Sequence, residues 1–547
     1  MRKISLVFLL FSIINPGVIK AQEKESIYNA IHDFDYNYFH KNLEYLSSDD
    51  LKGRNTGTEE YNKAAQYVAK KFESIGLIPY GDNGTFFQTV PLIQRSIIKS
   101  TINIESKLDQ TTIIANYGDD ITLIPNTKKS KIDEQQKLVF VGFGNIIPEK
   151  NINDYKGVDV KGKTVIAVLG APESLKGYDM FDPFSKVKNA IDQGASGLII
   201  FFPKGLFQNM IFKQIHGFTG QPIMALADTS LGDDMFEFDL KIAAFSKKDF
   251  IKHVFKQNDL KLEKELRKIK RGETVSMELN STIYCSYDVK VESVNCKNVV
   301  ALYQGTDSTL DKEYVTIGAH LDHVGVGEPV KGDSIYNGMW DNATGSAALL
   351  SIAKTYKEKL ISPKRSMIFV CYTGEEKGLL GSNYFANYNN VSNGKVVANI
   401  NIDMLGGLFP TKDIIPLGYS HSNLSDAVDY SAKELSLIVD DNKEEENEYL
   451  FRSDQASFLN KGIPVLNVAN GYTAFDSKIN AEKEFGKWMK KYYHSPFDDM
   501  HQEYSKEAFL LALKYNFLTV YYITNLMDEI KWKEDSWIYK KYVLKEE

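Results

Sequence analysis

In this 547-residue chain, the paired acids Glu375 and Glu376 follow Gly374 and a short apolar run over 367–371. A run of that length and composition reads as a buried strand. Two carboxylates at its end cannot both be routine surface charges, because an unpaired buried charge is costly. Upstream stand His320-Leu321-Asp322 and then Asp341; downstream stand Asp403 and His494. Two imidazoles and three carboxylates are the ligand set for two zinc ions. One further glutamate remains to take a proton from a water between them.

Each position has its own reason. His320 follows a strand expected over 315–319, and Asp322 supplies the carboxylate that a metal-bound imidazole needs on its second nitrogen. Asp341 suits a bridging ligand, with one oxygen for each ion. The run Asp341-Asn342-Ala343-Thr344-Gly345 also suits the start of a helix with Asp341 as its N-cap, and the two roles are compatible. Glu376 is read as a ligand and Glu375 as the general base. Asp403 is an acid at an otherwise apolar strand end. His494 sits in His494-Ser495-Pro496, which proline keeps out of a helix. The remaining histidines (His32, His40, His216, His253, His323, His421 and His501) lack such company and read as structural or surface residues.

The elements that must position these groups alternate from residue 298 onward. Strands are expected over 298–302, 315–319, 366–372, 397–404 and 464–469, and helices over 347–356 and 425–435. That alternation predicts an α/β fold, a mixed central sheet sandwiched by helices. In such sheets ligands gather beyond the carboxyl ends of the strands, which is where His320, Glu375, Glu376 and Asp403 fall. Nearer the N-terminus, 23–47 reads as helical, 46–57 as a loop, and 59–75 as a helix stopped by Gly76. Between 111 and 283, strands at 138–144, 160–169 and 198–202 and a helix at 185–193 suggest a small inserted α+β module. The basic stretch 256–271 reads as a solvated helix face and 440–448 as a solvated acidic loop. The expected domains are thus a signal segment (1–22), two parts of one catalytic domain (23–110 and 284–547), and the insert (111–283).

Hydrophobic residues make up 43% of the chain and charged residues 25%, with a formal net charge of −7. This describes a globular protein without the basic footprint of a nucleic-acid binder. Met1-Arg2-Lys3, an apolar run over 4–14 and a small residue at Ala21 form the three parts of a secretory signal. Its apolar core is too short to span a bilayer, so a secreted or periplasmic protein is expected, with no transmembrane segment once the signal is removed. Three cysteines make no disulfide framework. Pairing of Cys285 with Cys296 is left open, and Cys371, within the apolar strand, reads as a buried thiol. No CxxC spacing exists, so any metal rests on histidine and carboxylate.

Several runs resemble the co-catalytic di-zinc aminopeptidases of metallopeptidase clan MH, family twenty-eight, which also holds glutamate carboxypeptidase II and the transferrin receptor. They are Gly318-Ala319-His320-Leu321-Asp322-His323, Asn337-Gly338 with Asp341-Asn342-Ala343-Thr344-Gly345, Gly374-Glu375-Glu376 with Gly378-Leu379-Leu380-Gly381-Ser382, Asn401-Ile402-Asp403-Met404, and His494-Ser495-Pro496. The resemblance implies one zinc held by His320, Asp341 and Asp403 and another by Asp341, Glu376 and His494. It makes Glu375 the base and Asp322 the partner of His320, and it implies removal of N-terminal residues from peptides with a free amine. The 111–283 module resembles the protease-associated insert of some members. Carboxypeptidase or dipeptidase action on the same metals is the alternative, and a silent receptor-like binder is the reading of another class. Gln455 and Trp340 stand where many members carry other residues; the donor to the oxyanion is left open, with Tyr449 as one candidate.

Overall fold

The computed structural model describes residues 25–175, 183–203, 212–213, 215–217, 219–231, 239–442, 446 and 449–545. The expected signal lies outside the described residues, as do 443–445 and 447–448 of the expected acidic loop. The chain divides into two compact units, Met1–Val90 with Asn295–Glu547, and Pro91–Val294.

The sheet of the first unit is mixed. In spatial order its strands are Ile438–Val439, Asp413–Leu417, Val465–Asn470, Lys395–Asn401, Glu313–His320 and Ser366–Tyr372, followed by the end of the long strand Ser276–Tyr303 and the edge pair Ile78–Pro79. Glu313–His320 runs parallel to both neighbours, with Tyr314 opposite Ser366, His320 opposite Tyr372 and Gly318 opposite Asn401. Central parallel strands are covered on both faces and need unbroken apolar runs. Accordingly every residue of Ser366–Tyr372 is buried.

The helix Thr344–Glu358 is buried over nearly its whole length, and Glu59–Ile75 buries its stripe Tyr61, Ala64, Ala65, Val68, Ala69 and Phe72. Both pack with the last long helix, Lys506–Asn525, in one core. Gly76 ends Glu59–Ile75 at φ 81°, so its left-handed geometry favours a residue without Cβ. The mixed sheet with flanking helices expected from the alternation is what the first unit shows.

The second unit includes the 111–283 stretch and extends past it at both ends. Strands Phe87–Ser106 and Ser276–Tyr303 continue through the unit boundaries without a break, so composition gives no linker there. Its sheet sets Lys131–Val141, Thr164–Val168, Gly197–Phe201 and Ile242–Ser246 side by side in parallel pairings. It has its own apolar cores. The basic stretch is the helix Leu262–Lys270, which buries Leu262, Leu266 and Ile269 and leaves lysines on the other side. Cys285 and Cys296 are both buried and both free.

Candidate metal centre

The parallel register brings three strand ends together. His320 is the last residue of its strand, Glu375 and Glu376 follow Tyr372, and Asp403 lies just beyond Asn401. Asp341 reaches the same edge from the turn Met339–Ala343, which precedes the helix Thr344–Glu358. His494 comes from a loop, at φ 47°.

Asp341 lies at the centre. One carboxylate oxygen is 3.3 Å from His320 Nε2 and the other is 3.1 Å from His494 Nε2. His320 Nε2 also lies 3.3 Å from Asp403 Oδ1, and His494 Nε2 lies 3.3 Å from Glu376 Oε2. Two groups result, each with ligand atoms within 4.8 Å of one another: His320, Asp341 and Asp403, and His323, Asp341, Glu376 and His494. Glu375 belongs to neither. The structure thus brings together all five expected ligands and adds His323.

Two local expectations need correction. Asp341 is not the helix cap: Asn342 Oδ1 accepts the Gly345 amide at 2.9 Å and the Met404 amide at 3.2 Å, which leaves both Asp341 oxygens to the site. Nor does the Asp322 carboxylate hold His320. The Asp322 backbone carbonyl lies 3.0 Å from His320 Nδ1, so a proton on Nδ1 leaves Nε2 bare toward Asp341 and Asp403. The Asp322 carboxylate accepts the amides of Glu375 (3.2 Å) and Glu376 (3.3 Å) and so fixes the turn that carries both acids. Sequence proximity suggested a side-chain contact; in the fold that side chain meets the residues after the neighbouring strand instead.

Burial and charge set the proton affinities. Burial opposes protonation of His320, but Glu375, Asp403 and Asp341 outweigh it and hold the imidazole well above its ordinary range. His494 is likewise raised against its burial, by Glu376 and Asp341. Burial would raise Asp341, yet His320 and His494 hold it well below the usual carboxylate range. Glu376 is lowered too, with His494 and His323 overcoming burial and the Asp341 charge. Glu375 goes the other way. Burial pushes it well up, and Glu376, Asp454 and Asp403 add to this against the pull of His320. A buried carboxyl perturbed this strongly beside a ligand cluster marks a functional position.

The donor set fits divalent cations. The excess of carboxylates draws both raised imidazoles toward their charged form, so the cluster calls for positive charge. Glu376 Oε1 is buried with no hydrogen-bond partner, an orphan that an oxygen-binding cation would satisfy. Imidazole with carboxylate is zinc's usual company when no thiolate is near.

Several residues support the site. Asp498 is buried, accepts the amides of Trp340 (2.9 Å) and Asp341 (3.1 Å), and is raised to about 6 by burial, against His323 and those amides. Arg54 is fully buried and donates to the carbonyls of Leu46, Leu321 (2.8 Å), Asn337 (2.6 Å) and Gly338 (3.0 Å). It ties the early loop to the turns before Asp322 and Asp341. Tyr493 stacks on His494 with centroids 4.0 Å apart, and its hydroxyl lies in the field of Asp341, Glu376, Glu375 and Asp403. Tyr449, a candidate oxyanion donor, is 40% exposed. Gln455 is buried, holding Asn401 Nδ2 at 2.8 Å and donating to the Leu450 carbonyl. Trp340 is buried against Trp488, centroids 4.3 Å apart.

Residues 298–516 match the model of peptidase family M28. The resemblance to the di-zinc aminopeptidases is borne out over that stretch. Aminopeptidase Y of Saccharomyces cerevisiae is 28% identical over 247 residues, 44% of this chain and 41% of that protein. The chain spans less than half the length of the curated relatives it matches. Among solved structures, the aminopeptidase from Aneurinibacillus sp. strain AM-1 superposes with TM-score 0.56 at 19% identity, covering 93% of this chain and 98% of that one. The zinc aminopeptidase BSAP from Bacillus subtilis gives TM-score 0.50 at 17% identity, over 91% and 97%. These two likenesses establish a shared fold.

Proposed function

We propose that this protein is a zinc-dependent aminopeptidase, hydrolysing the first peptide bond of substrates with a free N-terminus. The observation that carries the reading is Asp341, whose two oxygens face different histidines while Glu375 stands outside both ligand groups. The names of the relatives, aminopeptidase Y and the zinc aminopeptidase BSAP among them, support the same choice of reaction.

His320, Asp341 and Asp403 would hold one ion, and Asp341, Glu376 and His494 the other. Such a pair, when bound, lowers the pKa of water and polarises the scissile carbonyl. Glu375, outside both ligand groups, takes the water proton and returns it to the leaving amine. Asp322 fixes the turn of the paired glutamates, and the Tyr493 hydroxyl, in the field of the same carboxylates, would donate to the developing oxyanion. The signal-like N-terminus supports export, and no helix among the described residues is long and apolar enough to cross a membrane. The second unit would serve as a protease-associated module.

Glu375→Gln separates binding from chemistry. Metal content should match the wild type while turnover falls by ~10²–10⁴, the usual worth of a general base. Undiminished turnover would refute the role of Glu375. A panel of free-amine, N-blocked and C-blocked peptides distinguishes an aminopeptidase, silenced only by N-blocking, from a carboxypeptidase or dipeptidase, and a silent binder cleaves none of them.

A further inference from the structure

We propose that His323 is a fourth protein ligand of the ion held by Asp341, Glu376 and His494, entering through Nδ1. The proposal rests on the metal reading above and makes the two ion positions unequal.

His323 is fully buried and follows Asp322 in the loop after the strand. Its Nδ1 lies 2.8 Å from Glu376 Oε1 and 4.0 Å from Asp341 Oδ2. At 2.8 Å an imidazole N–H and a carboxylate oxygen would ordinarily be donor and acceptor. Here neither atom makes a hydrogen bond, because they converge side by side without the alignment one requires. Two buried polar atoms that meet this way share a third partner, and a cation is the partner both can take as bare donors. Nε2 has no hydrogen-bond partner either, so no contact of that kind fixes the ring from its far side. A merely supporting histidine would instead donate Nδ1–H along the line to Oε1. The chain also makes room for the ring: a Cβ on Gly338 would meet His323 Cγ at 2.4 Å, and Gly338 sits at φ 60°.

The consequence is a division of labour. Structural zinc positions are closed by four protein ligands, whereas catalytic positions keep three and an open place. With His323, the Glu376 group has four residues and the Asp403 group has three. The Glu376 position should therefore load first and release its ion last.

The test uses full-length metal-free protein titrated with Co²⁺, read by proton NMR for exchangeable hyperfine-shifted imidazole N–H signals. The wild type should show one signal from each of His320, His323 and His494, with those of His323 and His494 developing ahead of that of His320. In His323→Gln the His323 signal should vanish and Co²⁺ affinity at that position should fall more than ~100-fold, beyond the ~10–100-fold cost of losing an outer partner. Two bound ions with signals from His320 and His494 alone would overturn the proposal and leave the metal reading intact. The wild-type spectrum decides this even if the variant does not fold. Failure to bind two equivalents of Co²⁺ would overturn the metal reading and this proposal together.

Discussion

Replacing Arg54 tests how the site's loops are held. Its guanidinium serves four buried carbonyls, those of Leu46, Leu321, Asn337 and Gly338. Burial lowers its proton affinity to about 10, partly offset by Asp322, Asp498, Asp341 and Glu376, so it stays charged at neutral pH. In Arg54→Lys one ammonium replaces a planar fork and can serve about half of these acceptors. Each buried carbonyl left unpaired costs ~1–3 kcal/mol, so about two of them cost ~2–6 kcal/mol. A domain's whole stability is ~5–15 kcal/mol, so the lysine variant should fold but unfold much earlier. Arg54→Met strands the carbonyls of Leu46, Leu321 and Asn337, ~3–9 kcal/mol, while the Ala343 amide still serves Gly338, and should be less stable than the lysine variant. Urea unfolding of metal-free protein, followed by tryptophan fluorescence from the Trp340–Trp488 pair, measures the difference. If Arg54→Lys lost only the ~0.5 kcal/mol of an ordinary surface change, the reasoning would be refuted.

Asp454 gives a pH signature. It is fully buried and neither oxygen hydrogen-bonds. Ser382 lies close enough to ease its charge but bonds instead to Ser457 and the Leu379 carbonyl. Burial raises it to about 7 from an ordinary 3.8. A folded pKa above the unfolded one means its contribution is fully present below about 3.8 and is lost as pH rises through about 7. Metal-free Asp454→Asn should therefore gain more Tm over wild type at pH 8.5 than at pH 5; an equal change at both would contradict this. Tyr493→Phe should keep metal content and KM while kcat falls by roughly 10²-fold, the cost of one oxyanion donor, and an unchanged kcat would remove the phenol from the reaction.

The strand ends were legible because central parallel strands need long apolar runs, and an acid at the end of one is conspicuous. Ser366–Tyr372 and the helix Ser425–Leu435 stand where periodicity put them. The supporting residues were hidden for a common reason. Arg54 works on backbone carbonyls and Asp498 on backbone amides, and no spacing rule marks such partners. Asp322 was expected to act by its side chain on His320, but sequence distance carries no information about which way a side chain turns after a strand. His323 looked structural because nothing in the spacing of His320-Leu321-Asp322-His323 marks its second histidine as a ligand; folding places it beside Glu376. The long strands Phe87–Ser106 and Ser276–Tyr303 were illegible in part because each runs through a unit boundary.

Anomalous diffraction at the zinc edge, from crystals grown with zinc, tests the central claim most directly. The account predicts two peaks, one beside each oxygen of Asp341, with Glu375 bonded to neither. A single peak, or two peaks that share no carboxylate, would contradict it.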